Sequence, residues 1–268
     1  MPVHPVVNKF LADRGTHLAA MVAYFALLAF VPLLFLALSL IGLAGEQDES
    51  SYLIEELRRV FPKTSVDNVL DVVTEVQEQS AELSVIGAIG LVWAALGFFS
   101  VLESAFNVVY GLPNRPFIRQ KALVLLLTVG FLAVLFAALV IASVGVDLVQ
   151  RAGIAGGVLS YVYALLVSTA LLFALIWSLY HLLTNERLAW RESLPGAVFA
   201  AVCLQASFQA LPVFVRLSDE LIALQAYGGL VLLLIWLYVM ANVIVLGAEL
   251  NWWLARGRRQ EQETVGLA

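Results

Sequence analysis

The sequence predicts an all-α, polytopic membrane protein: a six-helix transmembrane bundle with an external amphipathic helical loop between spans 1 and 2. Three observations carry that expectation. Of the 268 residues, 62% are hydrophobic and only 13% charged, with a mean hydropathy of +0.92, a surface that water could not solvate. Six apolar runs each approach or exceed about 20 residues, the length at which a helix crosses a hydrocarbon core of roughly 30 Å. None shows the polar-apolar alternation of barrel strands, and in lipid each span must satisfy its own backbone, so helices are the expected state.

The runs lie near residues 19–43, 84–109, 121–146, 158–183, 194–216 and 227–254, with a tail over 255–268. The first run follows Lys9 and Arg14 and is longer than a signal-peptide core, so it reads as a retained signal-anchor helix. Six alternating spans sort the basic residues unequally. One side carries Lys9, Arg14, Arg115, Arg119, Lys121, Arg187, Arg191, Arg256, Arg258 and Arg259; the other has Arg58, Arg59, Lys63, Arg151 and Arg216. The richer side is the cytoplasmic one, which places both termini in the cytoplasm.

The expected external loop, residues 45–83, holds ten of the acidic residues against three basic ones, so the formal charge of −5 describes a loop rather than a surface for a basic partner. Thr64 and Asp67 suggest a helix start, and Val66, Val69, Leu70, Val73 and Val76 recur at helical spacing. A shorter helix is expected before Pro62. A cap packed on the bundle's outer mouth accounts for these elements, with partner docking as the alternative. No long repeat or second domain is visible, and residues 1–268 read as a single membrane domain.

Several chemistries lack their residues. Cys203 stands alone, which excludes an intramolecular disulfide and a cysteine-rich metal site. His4, His17 and His181 are scattered, so no metal is expected, and His181 reads as a neutral, hydrogen-bonded interfacial side chain. There is no phosphate-binding loop and no nucleophile elbow. The basic residues sit in short loops beside helix ends, which topology explains without nucleic acid. No enzyme activity and no cofactor is expected; membrane lipids are the expected partners, and oligomeric state is left open.

Polar groups inside spans are costly, so those present point to function. Glu103 and Asn107 share one face of span 2, and Asn242 and Glu249 one face of span 6. Glu103 and Glu249 fall about 30 Å and 33 Å along their helices, near the cytoplasmic boundary. There they are either hydrated or paired with Arg115, Arg119, Arg187 or Arg256, or they line a polar vestibule. Gln205 and Gln209 form a second stripe on span 5. Pro32 and Pro212 each remove a helical hydrogen bond and are helix-kink candidates that turn towards a shared cavity. The pairs Ala19/Ala23, Gly90/Ala94 and Gly196/Ala200 are expected to let helices approach closely. Trp190, Trp252 and Trp253 are expected at membrane interfaces.

Five stretches in order resemble the YihY/BrkB family of bacterial inner-membrane proteins, formerly labelled ribonuclease BN. They are Ala23-Tyr24-Phe25-Ala26-Leu27-Leu28-Ala29-Phe30-Val31-Pro32-Leu33; Glu103-Ser104-Ala105-Phe106-Asn107-Val108-Val109-Tyr110; Asn185-Glu186-Arg187 through Trp190; Ser193-Leu194-Pro195-Gly196-Ala197; and Tyr227-Gly228-Gly229 leading through Trp236 to Gly247-Ala248-Glu249-Leu250-Asn251. The sequence departs from the pattern at Ala29 and Gly229, where serine is common, and at Thr184, where proline often precedes the asparagine. The resemblance implies a multi-pass inner-membrane protein, with relatives linked to serum resistance and to export of a lipid A precursor. The ribonuclease label does not fit, because the clustered metal ligands of that enzyme are missing. The functional expectation is transport or translocation of a lipid-linked or amphiphilic envelope substrate along Glu103, Asn107, Gln205, Gln209, Asn242 and Glu249. The alternative is a non-transporting scaffold acting through the acidic loop.

Overall fold

The computed structural model describes residues 5–43, 81–131, 158–186, 188–219 and 222–266. Among them every regular element is helical. In chain order these are α1 (Pro5–Ala12), α2 (Gly15–Leu43), α3 (Ala81–Tyr110), α4 (117–131, where the description stops), α5 (Val158–Leu183), α6 (Leu194–Asp219) and α7 (Ile222–Gly266). Four contain stretches long and apolar enough to cross a membrane: Val92–Tyr110, Leu165–Leu183, Leu194–Leu211 and Val231–Arg256; Gly15–Phe30 is a shorter apolar helix.

The run expected over 158–183 coincides with α5. Helices α2, α3, α6 and α7 each extend several residues beyond their runs, because apolar periodicity marks the membrane-embedded part of a helix and not its polar ends. Over the expected tail the α7 helix continues as far as Gly266, while its apolar stretch ends at Arg256. Its Arg, Gln and Glu residues favour helix and no proline interrupts them. The run over 121–146 is helical as far as residue 131, and its remainder lies outside the described residues, as does the loop over 44–80; residues 81–83 belong to the first turn of α3. Pro32 and Pro212 lie within helices that continue past them.

The short helix α1 was not anticipated from the sequence. Its Val6 and Phe10 are buried at i, i+4 spacing, while Val7 and Leu11 are exposed. Arg14, in the left-handed region at φ 56°, ends the helical path between α1 and α2. A side chain at Gly15 would run into the Phe10 ring, so the turn requires glycine there.

The chain forms two compact units. The first comprises residues 1–16, 102–205 and 243–268. Its apolar core holds Leu102, Phe106 and Val109 of α3, Tyr180 and Leu183 of α5, Ala197, Ala200 and Leu204 of α6, and Val245 and Ala248 of α7. These repeat at three- and four-residue intervals, one buried stripe per helix. Phe106 meets Tyr180 edge-on, with ring centroids 5.1 Å apart, and the Tyr180 hydroxyl donates to the carbonyl oxygen of Ile244 at 2.6 Å. A Cβ on Gly196 would overlap the Gly247 carbonyl, and one on Gly247 would overlap the Tyr180 hydroxyl. Helices α6 and α7 therefore touch backbone to backbone, as small residues allow in membrane bundles.

The second unit comprises residues 17–101 and 206–242. Ala19, Val22 and Ala23 of α2, Ala94, Ala95 and Phe99 of α3, and Leu232, Leu233 and Trp236 of α7 are buried. The Phe25 ring lies over Gly97, where a Cβ would come within 2.6 Å of it. Trp93, Tyr24 and Val239 are exposed.

A valine at Gly196 must push α6 off α7. Gly196→Val is expected to lower unfolding free energy by about 1–3 kcal/mol, the usual cost of overpacking, measured by denaturant titration in detergent micelles. Gly90 has open space around it, so Gly90→Ala is expected to hold or raise stability by up to about 1 kcal/mol. Equal effects at the two positions would contradict the packing described.

Candidate functional site

Helix α3 ends in a Schellman turn. Gly111, at φ 68°, supplies the left-handed residue; its amide donates to the Val108 carbonyl at 3.0 Å and the Leu112 amide to the Asn107 carbonyl at 2.8 Å. Pro113 and Pro116 keep the next residues out of helix. The loop over 111–116 consequently folds back along the helix it has just left, and brings Asn114 and Arg115 to the face that carries Glu103 and Asn107.

Glu103 is fully buried and pairs with Arg115, Oε1 to Nη1, at 3.0 Å. The same guanidinium donates to the carbonyls of Leu182, Leu183 and Thr184 at 3.1, 2.5 and 2.8 Å. These lie at the C-terminal end of α5, where carbonyls lose their helical partners and the macrodipole presents negative charge. Arg115 thus neutralises a buried carboxylate and caps a helix at once. Its five fixed donors suit this double role in a way that lysine would not.

Asn107, also fully buried, completes the network. Its Oδ1 accepts the Asn185 amide at 2.8 Å and its Nδ2 donates to Asn114 Oδ1 at 3.1 Å. Asn114 donates onward to Ser104 Oγ at 3.2 Å, and Asn185 Nδ2 donates to the Pro113 carbonyl at 2.9 Å. Glu103 Oε2 remains buried without a hydrogen bond.

A second carboxylate occupies α7 in the same unit. Glu249 is fully buried, with Oε2 at 2.9 Å from the Lys9 ammonium. The contact is ionic: its angles do not meet those of a hydrogen bond, and neither carboxylate oxygen has one. Lys9 also pairs with Asp13, donates to the Val109 carbonyl at 2.7 Å and lies 4.2 Å from the centroid of the Trp252 indole. The Arg256 guanidinium lies 5.1 Å from the same ring. Two residues on from Glu249, Asn251 Oδ1 accepts the Gly196 amide at 2.6 Å in the first turn of α6, while its buried Nδ2 has no partner.

Of the residues selected from the sequence, Glu103, Asn107 and Glu249 are drawn into these buried polar groups of the first unit. Gln205 is in that unit as well, donating to Ser168 Oγ at 3.2 Å. Gln209 is exposed and Asn242 donates to the Tyr238 carbonyl of its own helix at 2.7 Å; both belong to the second unit. Arg115 is the partner of Glu103, as one of the sequence alternatives had it. The partner of Glu249 is Lys9, which charge counting had treated only as a topology signal. His181 stacks on Trp177 with centroids 6.0 Å apart, and its buried Nδ1 makes no hydrogen bond. Among the described residues no three His, Cys, Asp or Glu side chains are grouped to hold a metal ion.

Residues 6–266 match the family model described as virulence factor BrkB. The chain is similar to a UPF0761 membrane protein of Aromatoleum aromaticum, 29% identical over 254 residues, covering 92% of this chain and 61% of the relative. It is also similar to a UPF0761 membrane protein of Neisseria meningitidis serogroup B, at 26% identity over 97% of this chain and 66% of the relative. A relative of matching length is the ribonuclease-like protein YfkH of Bacillus subtilis, 25% identical over 96% of each chain. The chain spans less than two thirds of the length of the UPF0761 relatives it matches first. No solved structure matches it. With the family match running across nearly the whole chain and helices apolar enough to cross a bilayer, the chain belongs to the virulence factor BrkB family and is a membrane protein.

Proposed function

We propose that the protein translocates a lipid-linked or amphiphilic envelope substrate across the bacterial inner membrane and is not an enzyme. The observation that carries this reading is the pair of fully buried carboxylates, Glu103 and Glu249, each within a helix apolar enough to span a membrane. Ionised groups at such positions are expensive, and in membrane proteins they mark substrate and ion pathways. Among the described residues each has one cationic partner and at least one oxygen that makes no hydrogen bond. That leaves an acceptor for a polar headgroup moving past. Asn107 and Gln205 of the same unit extend the proposed route.

The setting of this route is one membrane domain of six spans, with both termini cytoplasmic and the acidic loop, which ends where α3 begins at Ala81, external. The excess of Lys and Arg on the terminal side of the spans supports that orientation. The ribonuclease-like name is that of a relative, and among the described residues no three His, Cys, Asp or Glu side chains are grouped to hold a metal ion for such chemistry. The strong acidity of the loop favours a second reading, a scaffold for envelope assembly. Deleting residues 45–80, which leaves α3 whole, separates the two, since a scaffold loses its partners while a translocator keeps its flux.

Flux of fluorescent envelope lipids in proteoliposomes tests the main reading. Glu103→Gln and Glu249→Gln are each expected to lower the rate by at least about tenfold, equivalent to roughly 1.4 kcal/mol at the barrier. Unchanged rates in folded variants would remove both carboxylates from the mechanism.

A further inference from the structure

The surroundings of the Lys9 ammonium are those of a ligand site. A primary ammonium is a compact charge with three N–H donors. Around Lys9 Nζ stand three acceptors, the Asp13 carboxylate, the Val109 carbonyl at 2.7 Å and the Glu249 carboxylate at 2.9 Å, and the Trp252 indole lies 4.2 Å away. Carboxylates combined with an aromatic face are how proteins recognise ammonium ligands. The Val109 carbonyl is available because the Schellman turn satisfies Asn107 and Val108 and stops short of it. Two carboxylates face one ammonium, and Glu249 Oε1 stays fully buried without a hydrogen bond. The group around Lys9 is therefore richer in acceptors than its present occupant uses.

We infer that Asp13, Val109, Glu249 and Trp252 form a receptor site for a primary ammonium group, which the chain's own Lys9 fills as an internal ligand. Lys9 reaches it from α1, an eight-residue helix anchored by Val6 and Phe10. An amphiphile with an amine headgroup, or a free alkylamine, offers the same donors and competes with Lys9 for the site. The inference deepens the translocation reading by naming a headgroup chemistry for the substrate. Occupancy is measured without flux, so failure of one is distinguishable from failure of the other.

Lys9→Ala removes the fragment equivalent to n-propylammonium. The variant is expected to unfold at lower temperature than wild type in detergent, and n-propylammonium chloride is expected to restore roughly half or more of the loss through site occupancy. Tetramethylammonium chloride, which has no N–H donors, is expected to restore none, nor is n-propylammonium in Lys9→Ala/Glu249→Gln. Should Lys9→Ala not fold, the readout becomes recovery of monodisperse protein extracted with n-propylammonium against sodium. Bilayers of phosphatidylethanolamine against phosphatidylcholine provide the second arm: a higher midpoint for Lys9→Ala in the aminolipid assigns the site to a headgroup, and rescue by n-propylammonium alone assigns it to a soluble amine. No rescue by n-propylammonium, or equal rescue by tetramethylammonium, overturns the ammonium site.

Discussion

A carboxylate taken out of water costs several kcal/mol unless a countercharge comes with it, and the first unit is arranged around meeting that demand at Glu103. Arg115 supplies the charge, but only because the chain turns back at once after α3. The left-handed Gly111 and the prolines at 113 and 116 set the path that returns Arg115 to the Glu103 face. Once there, the guanidinium has donors to spare, and the terminal carbonyls of α5 take them. Asn107 and Asn185 fasten the same two helix ends by a separate route. A single buried charge thus fixes a turn, a helix cap and the junction of two helices.

The packing beside this network works by a different rule. Without a hydrophobic driving force between helices in lipid, close contact depends on shape and on interhelical hydrogen bonds. Gly196 and Gly247 remove the side chains that would separate α6 from α7, while Tyr180 and Asn251 supply polar ties across the gap. Asn251 fills the role of a helix cap from another helix, satisfying an amide in the first turn of α6. In the second unit the described polar contacts are fewer, and alanines together with the Phe25–Gly97 contact carry the packing.

Helix type, and the approximate place of six of the seven described helices, were legible from apolar runs, because hydropathy reports directly on what lipid selects. The extensions of α2, α3, α6 and α7 were not, since their polar ends carry no such signal. Helix α1 was missed because two buried apolar residues are too few to register as a period. At the site, Glu103 and Asn107 stood out as polar residues four apart, and Arg115 was among the partners considered. Lys9 was read as a topology charge: its 240-residue separation from Glu249 leaves no local pattern, and only folding brings the two together. Asn251 and Gly196 both fall in the family-like motifs quoted above, yet their contact across 55 residues is equally invisible to spacing. The alanine and glycine pairs were expected to serve packing; burial of Ala19, Ala23, Ala94 and Ala200 and the close contact at Gly196 agree with that, whereas Gly90 has open space around it and lets no neighbour approach.

The most direct test of the organising role of Glu103 is a double-mutant cycle in unfolding free energy with Glu103→Gln, Arg115→Gln and the pair. Either single change is expected to be strongly destabilising, and the pair to cost less than the sum by about 1–3 kcal/mol, since removing both charges abolishes the unpaired one. Additive effects would mean that the two groups do not depend on each other, and would contradict the account.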